Sequence, residues 1–387
     1  MASVTEEMWI NLPEHIVVHI FSYLPFHQRC KCAQVCRSWL ECFNQPFLWK
    51  TFTFQFYTEI DKRYLNLLKQ HGHHMRAVKI ILDQHEKVNR ENACQVLEIL
   101  TKTENQKVSS LSVEFNGENP LFYGGLEFIQ SLKTFFNSDA TNAGLLTTVD
   151  LGGLWVDLTQ ELLDVLSSNH PNLQTLNIQN RSLICKIHPD CLVRLVGRCT
   201  NLTHLSLFYC SLSDEVLDAL SDESRKPIQH LSIKCRRQEK YVKTLSPDAW
   251  TGLVKKSPNL KVTLIFDHNC LLQKVSSILC PEIPVSELRL ETFTMLFDEI
   301  NMAASYYKHT LERLVLQTRG SKELEEALIN IATRCQKLRS LLVYCVLSKE
   351  VVENILSLCP TLKENNNYIL KWTKDPEPWI VGVEAGD

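Results

Sequence analysis

Residues 198–233 read RCTNLTHLSLFYCSLSDEVLDALSDESRKPIQHLSI, and this stretch holds one full structural period. LTHLSL, from Leu202, sets apolar side chains at the alternating positions of a strand buried on one side. Ser213 then stands where a helix N-cap belongs, with Asp214 and Glu215 in the first turn, where negative charge suits the helix dipole. DEVLDAL, 214–220, reads as that helix, and IQHLSI, from Ile228, begins the strand pattern again.

The same strand phrase recurs along the chain. It begins at Met75, Val108, Leu146, Leu173, Leu202, Ile228, Val285, Leu311 and Leu338, and NLKVTLIF, from Asn259, fits in an awkward register. The central positions are Val78, Leu111, Val149, Leu176, Leu205, Leu231, roughly Thr263, Leu288, Leu314 and Leu341. From Val149 onward the steps are about 25 to 30 residues, the period of long leucine-rich repeats. The steps before it are longer and are expected to carry extra loop or helix. Leu324, Ala327, Leu328 and Ile331 mark one intervening helix face, and Val351, Val352, Ile355, Leu356 and Leu358 mark the next. HPNL at 170–173, RCTNL at 198–202, SPNL at 257–260, RCQKL at 334–338 and LCPTL at 358–362 share one form, a helix exit followed by a strand entrance. One such unit cannot bury both its strand and its helix, so neighbours must stack, with the strands parallel.

Ahead of the repeats, residues 12–52 read LPEHIVVHIFSYLPFHQRCKCAQVCRSWLECFNQPFLWKTF. Ile16, Val17, Ile20, Phe21 and Leu24 form one broad helix face, and Pro13 and Pro25 bound it. Val35, Trp39, Phe43, Leu48 and Trp49 follow closely. A unit of about 40 residues cannot bury so much apolar surface alone and needs a further surface to pack on.

This segment resembles the F-box motif. The resemblance rests on Leu12-Pro13, Ile16, Ile20-Phe21, Tyr23-Leu24, Val35-Cys36-Arg37, Trp39 and Leu48-Trp49. Where many family members carry Asp-Leu, this chain has His27-Gln28-Arg29-Cys30. The resemblance implies docking on the adaptor Skp1, and through it on cullin-1 and a RING protein. Leu12, Pro13, Ile16, Ile20, Phe21, Leu24, Val35, Cys36, Trp39, Leu48 and Trp49 are the implied Skp1-binding residues.

The repeats, over roughly 75–362, are similar to those of leucine-rich repeat F-box proteins, with cysteine at helix exits (Cys199, Cys335, Cys359) and strand ends (Cys210, Cys345). LSDEVLDALS at 212–221, HLSIKC at 230–235 and SPDAWTGLVKKSPNL at 246–260 are similar to the cryptochrome-binding F-box proteins and to the "F-box only protein 39" type. The C-terminus, DPEPWIVGVEAGD, lacks a terminal Trp, so no substrate is carried over from them. The expected fold is α/β: an all-α F-box at 1–55, a curved leucine-rich repeat solenoid at 56–365 with parallel strands on the concave face, and a tail at 366–387 that caps it. The expected function is that of the substrate-recognition subunit of a Skp1-cullin-F-box ubiquitin ligase, a non-catalytic receptor for a protein substrate. The alternative is a Skp1-binding or repeat-based scaffold without ligase activity.

Alternation nominates residues of the concave face for substrate. Phe208 and Tyr344 are expected as exposed aromatics, the type enriched at binding hot spots. Lys234, Arg236, Arg237, Arg289 and Arg313 make the later strands locally basic, which suits an acidic or phosphorylated segment.

Composition narrows the field. The chain has 387 residues and a net charge of −3, which favours neither nucleic acid nor membrane. The N-terminus has no leader pattern, so an intracellular, cytoplasmic and/or nuclear, protein is expected and its fifteen cysteines are expected as thiols. Cys30, Cys32, Cys36 and Cys42 have the wrong spacing for zinc and read as small buried hydrophobes. His71, His73 and His74 have no ligand partner at metal spacing and read as a helix exit. No cofactor and no catalytic cysteine context emerges.

Overall fold

The computed structural model describes residues 12–120, 123–137, 144–236, 244–268 and 270–372. Met1–Lys186 with Arg198–Asn201 forms one compact unit, and Ile187–Gly197 with Leu202–Asp387 forms a second.

The first unit opens with α1 (Glu14–Tyr23), α2 (Phe26–Cys32), α3 (Arg37–Phe43) and a 3-10 turn at Pro46–Trp49. Pro13 and Pro25 stand at the N-caps of α1 and α2, where a missing N–H breaks no helical hydrogen bond. β1 (Thr51–Phe56), α4 (Tyr64–His71), β2 (Ala77–Leu82), α5 (Lys87–Lys102) and β3 (Ser110–Phe115) follow. α6 (Leu126–Phe136), β4 (Thr148–Gly153), α7 (Gln160–Asn169) and β5 (Thr175–Asn177) complete the series. The five strands pair in chain order, all parallel. The long early steps hold α5, of 16 residues, and α6, of 11.

The second unit takes most of α8 (Pro189–Arg198), then β6 (His204–Phe208), α9 (Asp214–Leu220), β7 (His230–Cys235), α10 (Pro247–Lys256) and β8 (Lys261–Phe266). It continues through α11 (Leu272–Ile278), β9 (Val285–Leu290), α12 (Phe297–Tyr306), β10 (Arg313–Leu316) and α13 (Lys322–Arg334). β11 (Ser340–Val346), α14 (Lys349–Leu358), α15 (Pro360–Glu364) and β12 (Tyr368–Lys371) end it. These strands are also parallel and in chain order. Strand–helix repeats in register are the leucine-rich repeat architecture, as the spacing predicts. Among the described residues, no helix is long and apolar enough to cross a membrane.

The expected core positions meet across the ladders. Val78 faces Leu111, Leu111 faces Val149 and Val149 faces Leu176. In the second unit Leu205 faces Leu231, and Leu288 and Leu341 flank Leu314. The awkward repeat is corrected by one residue. Leu231 faces Val262, not Thr263. Val262 then pairs with Val285 but Thr263 with Glu287, so Ser286 is an extra residue in β9. This bulge returns Leu264 to Leu288, while Thr263, the register partner of Ser232 on β7, lies on the face opposite Val262 and Leu264.

The shared exit phrase is one recurring turn. The carbonyls of His170, Ser257, Cys335 and Cys359 accept the N–H groups of Leu173, Leu260, Leu338 and Leu362 at 3.0–3.2 Å. Cys199 Sγ lies 3.8 Å from the His170 carbonyl oxygen and Cys359 Sγ 3.4 Å from that of Ala332, so a buried thiol touches the helix one repeat earlier. Burial pushes the Cys335 thiol up to about 11. Two details depart from expectation. LCPTL leads into α15 before any strand, and Leu358 is exposed while Val351, Val352, Ile355 and Leu356 are buried. Ser213 is at the N-cap of α9, but its side chain accepts no capping bond. Thr159, Ser246 and Ser321 do cap, accepting from Leu162, Ala249 and Leu324 at 3.2–3.3 Å.

Two strands escaped the leucine pattern. β1, TFTFQF, alternates exposed and buried residues with Phe52, Phe54 and Phe56 inward, and Phe54 pairs with Ile80. Phenylalanine fills the leucine positions there, so the first repeat starts before residue 55 and the expected boundary falls inside β1. β12 lies in the segment expected as a tail, and it pairs with β11. Residues 373–387, including Trp379, lie outside the described residues.

Candidate functional site: helical surface and outward sheet faces

The N-terminal helices are built around Val17, Phe21, Cys42, Phe43, Leu48 and Trp49, all buried. Trp49 is the centre of this packing. Its indole Nε1–H donates to the Phe43 carbonyl at 2.8 Å. Its ring meets Phe43 edge-on at 5.1 Å, lies along Phe52 of β1 at 5.6 Å and stacks on His71 of α4 at 3.8 Å. Phe26 of α2 meets Phe52 at 5.0 Å and Tyr64 at 5.7 Å. Arg29 joins the ends of the segment, donating to the carbonyls of Leu24 at 2.8 Å and Leu48 at 3.3 Å. The surplus apolar surface of 12–52 is thus partly covered by the first repeat of the same unit.

The implied adaptor-binding set is divided by this packing. Phe21, at 1% exposed, meets Trp39 edge-on at 5.7 Å and belongs to the core. Leu48 and Trp49 are buried as well. Phe21, one of the implied Skp1-binding residues, is therefore absent from the exposed surface, because the i, i+4, i+7 face of α1 that looks outward carries Ile16, Ile20 and Tyr23 instead. Ile16 and Ile20 are more than a third exposed, Tyr23 is 75% exposed and Val35 is 65% exposed. Leu12, Leu24, Cys36 and Trp39 are half-buried, and Pro13 is exposed. Leu40 and Phe47, which the motif comparison passed over, are also exposed. Apolar side chains held out by a buried core make a candidate interaction surface.

His71 makes this core sensitive to acid. Burial lowers its pKa to about 4, helped by His74 and His73. In the same unit burial lowers His170 to about 4. Both pKa values are depressed by folding, so their contribution to stability is complete above the ordinary histidine range. It is lost as pH falls through about 6.5 toward about 4, where the folded form also binds the proton. Thermal melts of the first unit are expected to fall by several degrees between pH 7.5 and pH 5, and His71→Phe, which keeps the stack, should flatten that slope. Parallel profiles for the two proteins would refute the assignment.

The outward sheet face of the second unit differs from its sequence reading in two ways. Phe208, expected as exposed, is 2% exposed, with the Arg236 guanidinium 4.2 Å from its ring centroid. The Arg236 cation covers the ring, and Lys234 is the register partner of Phe208 on β7. Tyr344 is half-buried. The expected basic character is also corrected. Lys234 and Arg236 lie 3.6 and 3.8 Å from Asp267. Arg289 contacts Glu291 at 2.8 Å, and Arg313 lies 3.6 Å from Glu287. Burial pulls the Lys234 ammonium down in pKa, and Asp267 opposes it. Each pair is worth little as stability, but together they neutralise the strand interiors. Arg237 lies outside the described residues.

A family model described as F-box-like matches residues 9–55. F-box/LRR-repeat protein 8 of Homo sapiens is 28% identical over 373 residues, spanning 95% of this chain and 97% of that protein. F-box/LRR-repeat protein 21 of Mus musculus is 27% identical over 367 residues, spanning 91% of this chain and 80% of that one. Among solved structures, the leucine-rich repeat-containing protein LegL7 from Legionella pneumophila aligns with a TM-score of 0.41 at 19% identity, over 76% of this chain and 90% of that one. An F-box-like helical segment running directly into parallel strand–helix repeats, with relatives along nearly its whole length, makes this chain similar to the F-box/leucine-rich-repeat proteins.

Proposed function

We propose that the chain is the substrate receptor of a ubiquitin ligase assembled from Skp1, cullin-1 and a RING protein, and that it is itself non-catalytic. The observation that carries this reading is the exposed apolar set on the F-box helices, Ile16, Ile20, Tyr23 and Val35, standing on a core that is complete without them. An adaptor of matching apolar surface covers it. The Skp1-binding residues are then Leu12, Pro13, Ile16, Ile20, Leu24, Val35, Cys36 and Trp39, while Phe21, Leu48 and Trp49 hold the platform from behind. The repeats supply the second surface, on which a protein substrate is held. The contribution to rate is effective concentration, because a tethered lysine meets the charged conjugating enzyme far more often than a free one. Residues 56–365 serve as the substrate-binding part, and Tyr344 with the charge-balanced Lys234, Arg289 and Arg313 stand on its outward face.

Co-purification of the intact chain tests this directly. Recovery of both Skp1 and cullin-1 is expected, and a form lacking residues 12–52 should recover neither. Recovery of Skp1 without cullin-1 would leave a scaffold in place of a ligase receptor.

A further inference from the structure

Within the second unit, the ion pairs of Lys234, Arg289 and Arg313 leave a separate group of cation-forming side chains at the starts of β6, β7 and β8. His204, His230 and Lys261 are register partners at the starts of β6, β7 and β8. The two imidazole centroids are 6.2 Å apart. With Lys226 they line one open depression of about 670 Å³, which is roomy enough for an anionic group and the residue that carries it. Among the described residues, the carboxylate that reaches this group is Glu312, 2.8 Å from Lys261 Nζ. Lys226 is exposed beside it.

This arrangement is uneconomic for an empty surface. The sheet register holds three cation-forming side chains side by side, where like charges destabilise. Burial lowers the pKa of His230, and His204 and Lys261 lower it further, so the cluster resists its own protonation. His230 Nε2 is 3.1 Å from Thr263 Oγ1, which fixes the ring in the wall of the depression. An oxyanion relieves the repulsion and accepts from several of these donors together.

We infer that this depression is an oxyanion subsite of the substrate-receiving face, taking a phosphate or a carboxylate carried on the bound protein. The proposal rests on the receptor reading for its occupant, but the anion chemistry is tested without the adaptor. Binding takes up a proton at His230, since an anion beside the ring favours the imidazolium against His204, Lys226 and Lys261. Affinity therefore rises as pH falls. Glu312 is the carboxylate that competes, through Lys261.

The test is a sulfate titration of the full chain, followed by the histidine ring resonances, with sodium chloride at matched ionic strength as control. Sulfate keeps its charge across the interval, so any pH dependence belongs to the protein. His204→Gln and His230→Gln assign the two signals among the thirteen histidines. Saturable shifts at His204 and His230 are expected, with a Kd on the order of 1 to 10 mM. Binding should be roughly threefold or more tighter at pH 6 than at pH 7.5, and about three- to tenfold weaker in Lys226→Ala. Methyl phosphate and acetate, added in turn as competitors, distinguish a phosphate site from a carboxylate site. Shifts no larger than those in chloride, or an unchanged Kd in Lys226→Ala, overturn the proposal. Loss of adaptor recovery bears on the receptor reading alone.

Discussion

Trp49→Ala is expected to lower the stability of the first unit by about 3–5 kcal/mol, the cost of emptying a buried aromatic site. The side chain is 2% exposed and its ring contacts reach α2, α3, β1 and α4. Truncation also leaves the Phe43 carbonyl without its indole donor. For a unit of this size the midpoint of thermal unfolding should drop by about 6–20 °C. Calorimetry of the full chain measures it, and a change below about 1 kcal/mol would remove Trp49 from the centre of the packing. Adaptor recovery should fall in the same variant, but as a consequence of the melted platform. Recovery should return when it is assayed well below the new midpoint.

Ile20→Glu combined with Val35→Glu should separate binding from folding. Both side chains reach solvent, 36% and 65% exposed, so a carboxylate there can stay hydrated and the melting temperature should stay within about 2 °C of the parent. An adaptor that covers these positions must instead desolvate two carboxylates. With about 2 kcal/mol or more lost at each hot spot, Skp1 affinity should fall by about 1,000-fold or more. Titration of purified Skp1 against parent and double variant gives the answer. Equal affinities would move the adaptor surface elsewhere, and a large loss of stability would mean that these side chains are not exposed in solution.

The two variants part residues that a motif comparison treats alike. Phe21 and Ile20 are neighbours in the Ile-Phe pair, and both fit the pattern. One is 1% exposed and the other 36%. A linear pattern records that a position is apolar, but not whether its burial partner is in the same chain. The repeat register was far more legible. The central residues of β2 to β5 pair as their spacing predicts, because the side-chain period of a strand is two and a slip of one residue would expose every leucine. At β8 the pattern was ambiguous, because Val262, Thr263 and Leu264 all tolerate a strand interior. The bulge at Ser286 decided it. β1 was hidden for a chemical reason, since its three inward positions are Phe and the template asked for Leu.

Charge was the least legible property. Lys234, Arg289 and Arg313 look basic when read along the chain. Their partners Asp267, Glu291 and Glu287 stand on the same outward face, placed by strand ends and by the parallel register. His204, His230 and Lys261 are separated by 26 and 31 residues, and only the same register makes them a cluster.

By itself the sequence determined the architecture: the F-box-like helices, the strand–helix period and most of the core, because each of these is a local pattern of apolar spacing. The tertiary structure alone decided which apolar residues remain on the surface and which charges are neutralised. Those properties depend on what packs across from a residue, and in a repeat fold that neighbour is often one full period away.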